Sequence, residues 1–190
     1  MAGLWRRAQL MRAARECRQP PRSQCILGCW SRTVIALPSV SLALTSDALR
    51  IAEMSREYIE YGLGWSWTRE RIVKSIHDAA TNVAIVREHE TLLAFGIMAY
   101  GEQKAHLALL AVAPAHRKRG LGALLLAWLE KCATVAGLER IQLEARADNL
   151  VAIDFYENQG YRLTGSVAGY YRGMVDAVRL EKVLAIPPEH

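Results

Sequence analysis

The stretch His106-Leu107-Ala108-Leu109-Leu110-Ala111-Val112-Ala113-Pro114, followed by Arg117-Lys118-Arg119-Gly120-Leu121-Gly122, decides the fold. Its first part is an apolar run of strand length, over residues 106–113. From Gly120 onward Leu121, Leu124, Leu125, Trp128, Leu129 and Cys132 recur at helical spacing, and Gly137 stands where such a helix should stop. Residues 140–146 read as a strand again. Strand, helix and strand form a β-α-β unit, so the two strands are expected to be parallel and the crossover right-handed.

Working upstream, residues 82–87 and 92–100 are strand-like, with short turns around residues 88–90 and 101–104, which predicts an antiparallel meander with 106–113. Residues 33–44 predict a first strand despite Pro38. Thr45 or Ser46 is expected to cap a helix carrying Leu49, Ile51, Ala52, Tyr58 and Ile59. Residues 62–67 interrupt it, and Thr68 opens a second helix with Ile72, Ile76 and Ala79 on one stripe. Downstream, a short helix over about 150–158 is capped by Asp148 or Asn149 and closed by Gly160. Strands at 161–167 and 175–184 flank a turn holding Gly169, Tyr170, Tyr171 and Gly173. The predicted class is α/β, a mixed (α+β) sheet with order β-α-α-β-β-β-α-β-α-β-β, in one domain over residues 33–187.

Composition narrows the function classes. The net charge of the 190 residues is +5, but residues 1–38 hold seven Arg and one Glu, so +6 sits there and −1 on the rest. The basic character therefore describes an extension, set at residues 1–32, and gives the domain no nucleic-acid-binding face. That extension is compatible with a disordered leader, a transit-like segment or translation from an upstream start codon. No apolar run approaches the ~20 residues that span a bilayer, so no membrane role is expected. Four cysteines, at 17, 25, 29 and 132, lack C-x-x-C pairing or a nearby His, so no metal is expected; reduced thiols in a cytoplasmic protein are the reading.

A Gly-rich turn between strand and helix aims backbone N–H groups and the positive helix end at an anion. Gly120 and Gly122 allow close approach, and Arg117, Lys118 and Arg119 add charge: a polyanion site, or a basic turn closed by two glycines. Two nucleotide readings fail. A P-loop needs Gly-Lys followed by Ser or Thr, where Ala123 follows Gly122; a dinucleotide fingerprint needs a third Gly where Leu125 stands.

Leu110-Ala111-Val112-Ala113-Pro114 with Arg117-x-x-Gly120-x-Gly122 resembles the acetyl-CoA signature of the GNAT acetyltransferases. Leu143-Glu144-Ala145-Arg146-Ala147-Asp148-Asn149 and Ala152-Ile153-Asp154-Phe155-Tyr156-Glu157-Asn158-Gln159-Gly160-Tyr161 resemble the RimI branch, the N-terminal acetyltransferases of bacterial ribosomal proteins. The likeness covers about 105–185 through motifs and 33–104 only through element order. It implies a GNAT fold and acetyl-CoA as cosubstrate. It further implies that Leu110, Ala111 and Val112 pair with the pantetheine arm, that Lys118, Arg119, Gly120, Leu121, Gly122 and Ala123 wrap the pyrophosphate, and that Asn149 contacts the cofactor.

Acetyl transfer to an amine needs a base for the ammonium proton, an oxyanion donor and an acid for the thiolate. Strand alternation puts Glu144 on one face with Gln142 and Arg146. Residue pattern alone leaves this open to a solvated strand face; the resemblance makes Glu144 the base. Burial should raise its pKa and Arg146 should lower it. Tyr156, a core aromatic by position, is the acid the resemblance implies, with a backbone N–H near Val112 for the oxyanion. Cys132 lies on the apolar stripe, so direct transfer in a ternary complex is expected. His106 and His116 show no partner pattern.

On the acceptor side Gly169-Tyr170-Tyr171 resembles the aromatic turn of N-terminal acetyltransferases, and Trp65-Ser66 resembles a RimI segment lining the same groove. Packing is the alternative for these aromatics and the preferred reading for Trp67. Residues 62–67 and Arg172-Gly173 depart from the RimI pattern. The expected partner is a protein or peptide N-terminus, ribosomal proteins included. A lysine side chain, a small-molecule amine, or a non-catalytic acyl-CoA-binding module stand as alternatives.

Overall fold

The computed structural model describes residues 38–185, apart from Arg172, Met174 and the side chain of Tyr171. The expected extension at 1–32, residues 33–37 of the predicted first strand, and residues 186–187 lie outside the described residues. The elements are β1 (Val40–Leu42), a 3-10 turn (Thr45–Asp47), α1 (Ala48–Tyr58), α2 (Arg69–His77), β2 (Thr81–Glu88), β3 (Thr91–Tyr100) and β4 (Lys104–Val112). A 3-10 turn (Pro114–His116) then leads to α3 (Leu121–Val135), β5 (Arg140–Arg146), α4 (Leu150–Asn158), β6 (Arg162–Tyr171) and β7 (Val175–Val183). This is the predicted order. Among the described residues seven strands make one mixed sheet, β1-β2-β3-β4-β5-β7-β6, in which only the β4–β5 pair is parallel.

Helix ends follow local chemistry. Thr68 Oγ1 accepts the Arg71 N–H at 3.4 Å and Asn149 Oδ1 the Ala152 N–H at 3.1 Å, so both are N-caps. At the first helix neither Thr45 nor Ser46 is the cap: the N-cap position is Asp47, whose side chain makes no bond to that helix but closes the preceding 3-10 turn, Oδ2 accepting the Leu44 N–H at 2.8 Å. The carboxylate is also paired with Arg87 on β2, which ties the helix entry to the sheet. Leu49 is exposed and Ala79 lies beyond α2, so the apolar stripes are narrower than expected.

Two cores flank the sheet. On one face α3 lays Leu121, Leu125, Leu126, Leu129 and Cys132 against Met98, Leu107, Ile141, Leu143 and Leu180. Each of those buried leucines contributes about 1.5–3 kcal/mol. Gly96 on β3 leaves room for this packing: a Cβ there would sit 2.9 Å from Leu129 Cδ1. Cys132 is a reduced thiol within this core, as its stripe position implied. On the other face α1 and α2 bury Ile51, Met54 and Ile72 against Ile85, Phe95, Ile97 and Leu109.

The regular ladder of β4 is interrupted once. In the β3–β4 register Met98 faces Leu107 and Ile97 faces Leu109, so Ala108 is an extra residue, a β-bulge. Leu107 therefore points to the α3 core, while Leu109 points to the α1–α2 core. Beyond the bulge β4 and β5 part. Their parallel pairing runs only from Lys104↔Arg140 to Leu107↔Leu143, although β4 continues to Val112 and β5 to Arg146.

Candidate active site

The split between β4 and β5 leaves one edge of β4 open. Residues Leu109–Val112 still pair with β3 on their other side, but no strand among the described residues covers them on the β5 side. An extended ligand arm fits such an edge, because unpaired backbone groups need partners.

At the end of that edge stands the Gly-rich loop. Lys118 (φ 60) and Gly120 (φ 79) both occupy left-handed backbone, and Gly120 is the N-cap of α3. Only glycine takes that conformation without a Cβ penalty. The helical ladder of α3 begins with Leu124 N–H to Gly120 O at 2.9 Å, so the N–H groups of Leu121, Gly122 and Ala123 have no acceptor within the helix. Gly122 is under less constraint than expected: a Cβ there would meet Phe155 at 3.4 Å and Val112 at 3.5 Å, ordinary contacts. Arg117 is engaged elsewhere. Its Nε donates to Val112 O at 3.2 Å and its guanidinium lies 6.0 Å from the Tyr58 ring, so it braces the loop. Arg119 contacts His116 Nδ1 at 2.8 Å, while Lys118 and Arg119 remain exposed. Asn149 is the N-cap of α4, its Oδ1 taken by the Ala152 N–H.

Glu144 is the first residue of β5 past the split, and its side chain is only 7% exposed. Strand alternation puts Ile141, Leu143 and Ala145 into the α3 core, which leaves Gln142 and Glu144 on the α1–α2 face. Four partners converge on the carboxylate. Oε1 accepts Gln142 Nε2 at 2.9 Å and Arg179 Nε at 3.1 Å; Oε2 lies 2.6 Å from His106 Nε2 and accepts the Tyr170 hydroxyl at 3.4 Å. Burial pushes this carboxyl up, but hydrogen bonds from His106, Gln142 and Arg179 outweigh it, leaving Glu144 below the ordinary carboxylate range. Burial, then the neighbouring carboxylate, pushes the Tyr170 hydroxyl up, so it stays protonated and donating.

These contacts revise two expectations. The cation that opposes burial at Glu144 is Arg179, supplied by the register Glu144↔Arg179; Arg146 instead holds Asp148 at 2.8 Å and Tyr61 O at 3.2 Å. His106 does have a partner, Glu144 itself. Neither pairing has a local sequence signal, since both arise from strand register.

Tyr156 is buried at 8% exposure within the α3-side core. Its ring meets Phe155 edge-on at 5.2 Å and Tyr161 at 5.6 Å. Phe155 in turn lies against Gly122, so α4 docks on the first turn of α3, beside the loop. Tyr156 and Glu144 thus stand on opposite faces of the sheet.

Gly169, Tyr170 and Tyr171 are not in the hairpin turn but at the end of β6, which runs to Tyr171. The strand pattern continues because the chain pairs Tyr171 with Val175 after an irregularity beyond Val167. Tyr170 reaches Glu144; Trp65 does not. Trp65 lines a groove of about 660 Å³ with Glu53, Arg56 and Tyr61, under the Arg56 guanidinium at 5.3 Å. The segment is organised by Glu60, a buried residue with no signal in the sequence. Its carboxylate accepts the backbone N–H of Ser66 at 2.8 Å and of Trp67 at 3.2 Å, and the hydroxyls of Ser55 and Ser66. Trp67 packs under Arg71 at 3.9 Å, as expected of a structural aromatic. No metal-ligating cluster occurs among the described residues, and no described helix is long and apolar enough to cross a membrane.

Comparison with known proteins agrees with this geometry. The profile of the Acetyltransferase (GNAT) family matches residues 47–161. The catalytic subunit naa20 of the N-terminal acetyltransferase B complex of Schizosaccharomyces pombe is 36% identical over 70 residues, which span 37% of this chain and 39% of that protein. Among solved structures, the ribosomal-protein-S18-alanine N-acetyltransferase of Escherichia coli superposes with a TM-score of 0.70 at 22% identity, covering 81% of this chain and 98% of that one. The PaiA N-acetyltransferase of Thermoplasma acidophilum, solved with coenzyme A, gives 0.67 at 17% identity over 77% and 99%. Split strands, glycine-capped loop and family profile converge on the same stretch of chain, and the protein belongs to the GNAT acetyltransferase family.

Proposed function

We propose that the chain transfers an acetyl group from acetyl-CoA to a primary amine, with the N-terminal α-amine of a protein or peptide, in the RimI manner, as acceptor. The observation that carries this is Glu144: an enclosed, ionised carboxylate at the point where β5 leaves β4, beside the open edge. The residues suit the donor. Lys118 and Arg119 supply charge for the pyrophosphate, and the N–H groups of Leu121, Gly122 and Ala123 supply its hydrogen bonds. Backbone groups of Leu110, Ala111 and Val112 pair with the pantetheine arm, and Asn149 contacts the cofactor. Bound there, acetyl-CoA supplies the thioester.

Within the chain, Glu144 takes the ammonium proton, a backbone N–H near Val112 faces the developing oxyanion, and the Tyr156 hydroxyl serves the thiolate. Tyr170 and Trp65 border the acceptor; the side chain of Tyr171, expected there too, lies outside the described residues. A carboxylate held below its ordinary range favours the more acidic ammonium. An α-ammonium titrates about 2.5 units below a lysine side chain, which makes its deprotonation about 3.4 kcal/mol easier. That supports the α-amine over lysine. The functional unit on this reading is the domain over 33–187. A peptide library varied at its first two residues, with spermidine and free lysine as controls, tests the assignment. Acetylation of peptides above both controls is expected; a preference for spermidine or lysine would overturn it.

A further inference from the structure

We propose that Arg146 is a positioning residue whose guanidinium holds the segment between α1 and α2 at a fixed place beside the acceptor, and so sets how well a peptide is seated. The inference rests on the reading of the Glu144 side as the acceptor site and adds what keeps its outer border in place.

The segment, residues 60–67, is closed mainly upon itself. Glu60 accepts the N–H groups of Ser66 and Trp67, and Leu63 N–H donates to Glu60 O at 2.9 Å. Trp65 Nε1 donates to Trp67 O at 3.0 Å, and Arg71 Nη1 to Ser66 O at 3.4 Å. All of these bonds are local in the chain. They give the segment a shape but no place on the sheet. Its flanks are placed by packing, Tyr58 and Trp67 against the α1–α2 core. Its middle carries Gly62 and Gly64 in left-handed backbone, φ 76 and φ 57, on either side of buried Leu63. Burial keeps Leu63 in without fixing a direction. Among the described residues, one hydrogen bond joins residues 60–67 to the sheet. It runs from Arg146 Nη1 to Tyr61 O at 3.2 Å, across 85 positions of chain.

The end of β5 is shaped to make that bond. Arg146 follows Glu144 by two positions, and Ala145 between them enters the α3 core, so alternation puts both side chains on the α1–α2 face. Asp148 takes two donors of the guanidinium in parallel, Nε to Oδ1 at 2.9 Å and Nη2 to Oδ2 at 2.8 Å. An ion pair as exposed as this one adds little to stability. Its two-point grip nevertheless fixes the guanidinium plane, and the remaining nitrogen is then aimed at Tyr61 O. Asp148 is held in turn by backbone, where the chain leaves β5 and Asn149 N–H returns to Arg146 O at 3.0 Å. A lysine cannot repeat the arrangement, because a single ammonium has no fork to grip Asp148 and reach Tyr61 together.

The two borders of the acceptor are therefore secured differently. Tyr170 comes from β6 and touches Glu144 itself. The other border, with exposed Tyr61 and Trp65, is tied to the sheet through Arg146. Without that tie the glycine-flanked middle is free to swing, and peptide residues beyond the first lose a fixed surface to lie on. The donor loop is braced separately, by Arg117 on Val112 O, and the turn at Asn149 uses backbone atoms that survive substitution of the Arg146 side chain.

Arg146→Ala and Arg146→Lys test this through the split between KM and kcat. With a hexapeptide acceptor, KM should rise on the order of tenfold in Arg146→Ala and about threefold in Arg146→Lys. Turnover at saturating peptide, and acetyl-CoA affinity by calorimetry, should each stay within about twofold of wild type. Hydrogen exchange read by mass spectrometry needs no substrate: amides of residues 60–67 should exchange faster in Arg146→Ala, and those of β5 and α3 at the wild-type rate. A lowered Tm with an unchanged peptide KM, or exchange in residues 60–67 indifferent to Arg146→Ala, overturns the proposal. If the wild type acetylates no peptide while exchange responds as expected, the acceptor assignment falls and the tie between Arg146 and the segment stands.

Discussion

The donor half and the acceptor half of this site are built by different means. On the proposed reading the donor half is mostly contiguous chain, residues 110–123 with Asn149 added, and most of its parts are backbone: an open strand edge, left-handed Gly120, and N–H groups at the start of α3, with Lys118 and Arg119 adding charge. The proposed acceptor half is assembled from side chains that arrive on four strands: His106 on β4, Glu144 on β5, Tyr170 on β6 and Arg179 on β7. Backbone geometry suits a cosubstrate shared across a family, whereas side chains set by register can change with the acceptor. The two halves should therefore fail independently.

Glu144→Gln is the strongest way to separate them. Turnover should fall by about 10²–10³, while acetyl-CoA affinity by calorimetry stays within about twofold, under a tenth of that change. Next in size is Glu60→Gln. Weakening four hydrogen bonds to a buried carboxylate should cost about 1.5–3 kcal/mol of stability and loosen residues 65–67. Its signature is a raised KM for the peptide with unchanged acetyl-CoA affinity; an unchanged peptide KM would detach the α1–α2 segment from the acceptor.

On the donor side, Gly120→Val forces a β-branched residue into φ 79. The strain, about 1–2 kcal/mol, should appear as roughly tenfold weaker CoA binding with little loss of turnover at saturation. Gly122→Ala sharpens the contrast, since ordinary contacts with Phe155 and Val112 predict a near-unchanged Tm. Lys118→Glu should weaken CoA binding several-fold at low salt and less at high salt. Arg117→Glu should act mainly through Tm, because Arg117 is tied to Val112 O; equal salt-dependent losses from both would show that Arg117 also reaches the phosphates.

The smallest effect is on stability against pH. A folded-state pKa held below the unfolded value gives Glu144 a stabilising contribution that is present above about pH 4.3 and lost as pH falls through the folded value. The acid side of a Tm–pH curve should be flatter in Glu144→Gln than in wild type.

This division also explains what was legible in the sequence. Helical and strand periods are local, so the order of eleven elements and the β-α-β unit could be read directly, and Gly120 announced its loop. The Ala108 bulge could not, because the alternating burial along β4 passes through it without a break. His106 and Arg179 were invisible for a related reason: each lies 35 or more positions from Glu144, and only register brings them together. Glu60 had no motif, since its partners are mostly backbone N–H groups and hydroxyls. Tyr170 and Tyr171 were placed near the acceptor side by resemblance, but the strand resumes through them, Tyr171 pairing with Val175 after the irregularity that contains left-handed Gly169.

The proposed chemistry turns on Glu144 deprotonating an α-amine beside a bound thioester. The direct measurement is thiol release from acetyl-CoA with a peptide bearing one α-amine and one lysine, the acetyl group then located by mass spectrometry. One thiol per peptide is expected, with the acetyl on the α-nitrogen and release slowed about 10²-fold in Glu144→Gln at saturating acetyl-CoA. No thiol release from a protein that binds CoA, or acetyl found only on the lysine, would contradict it.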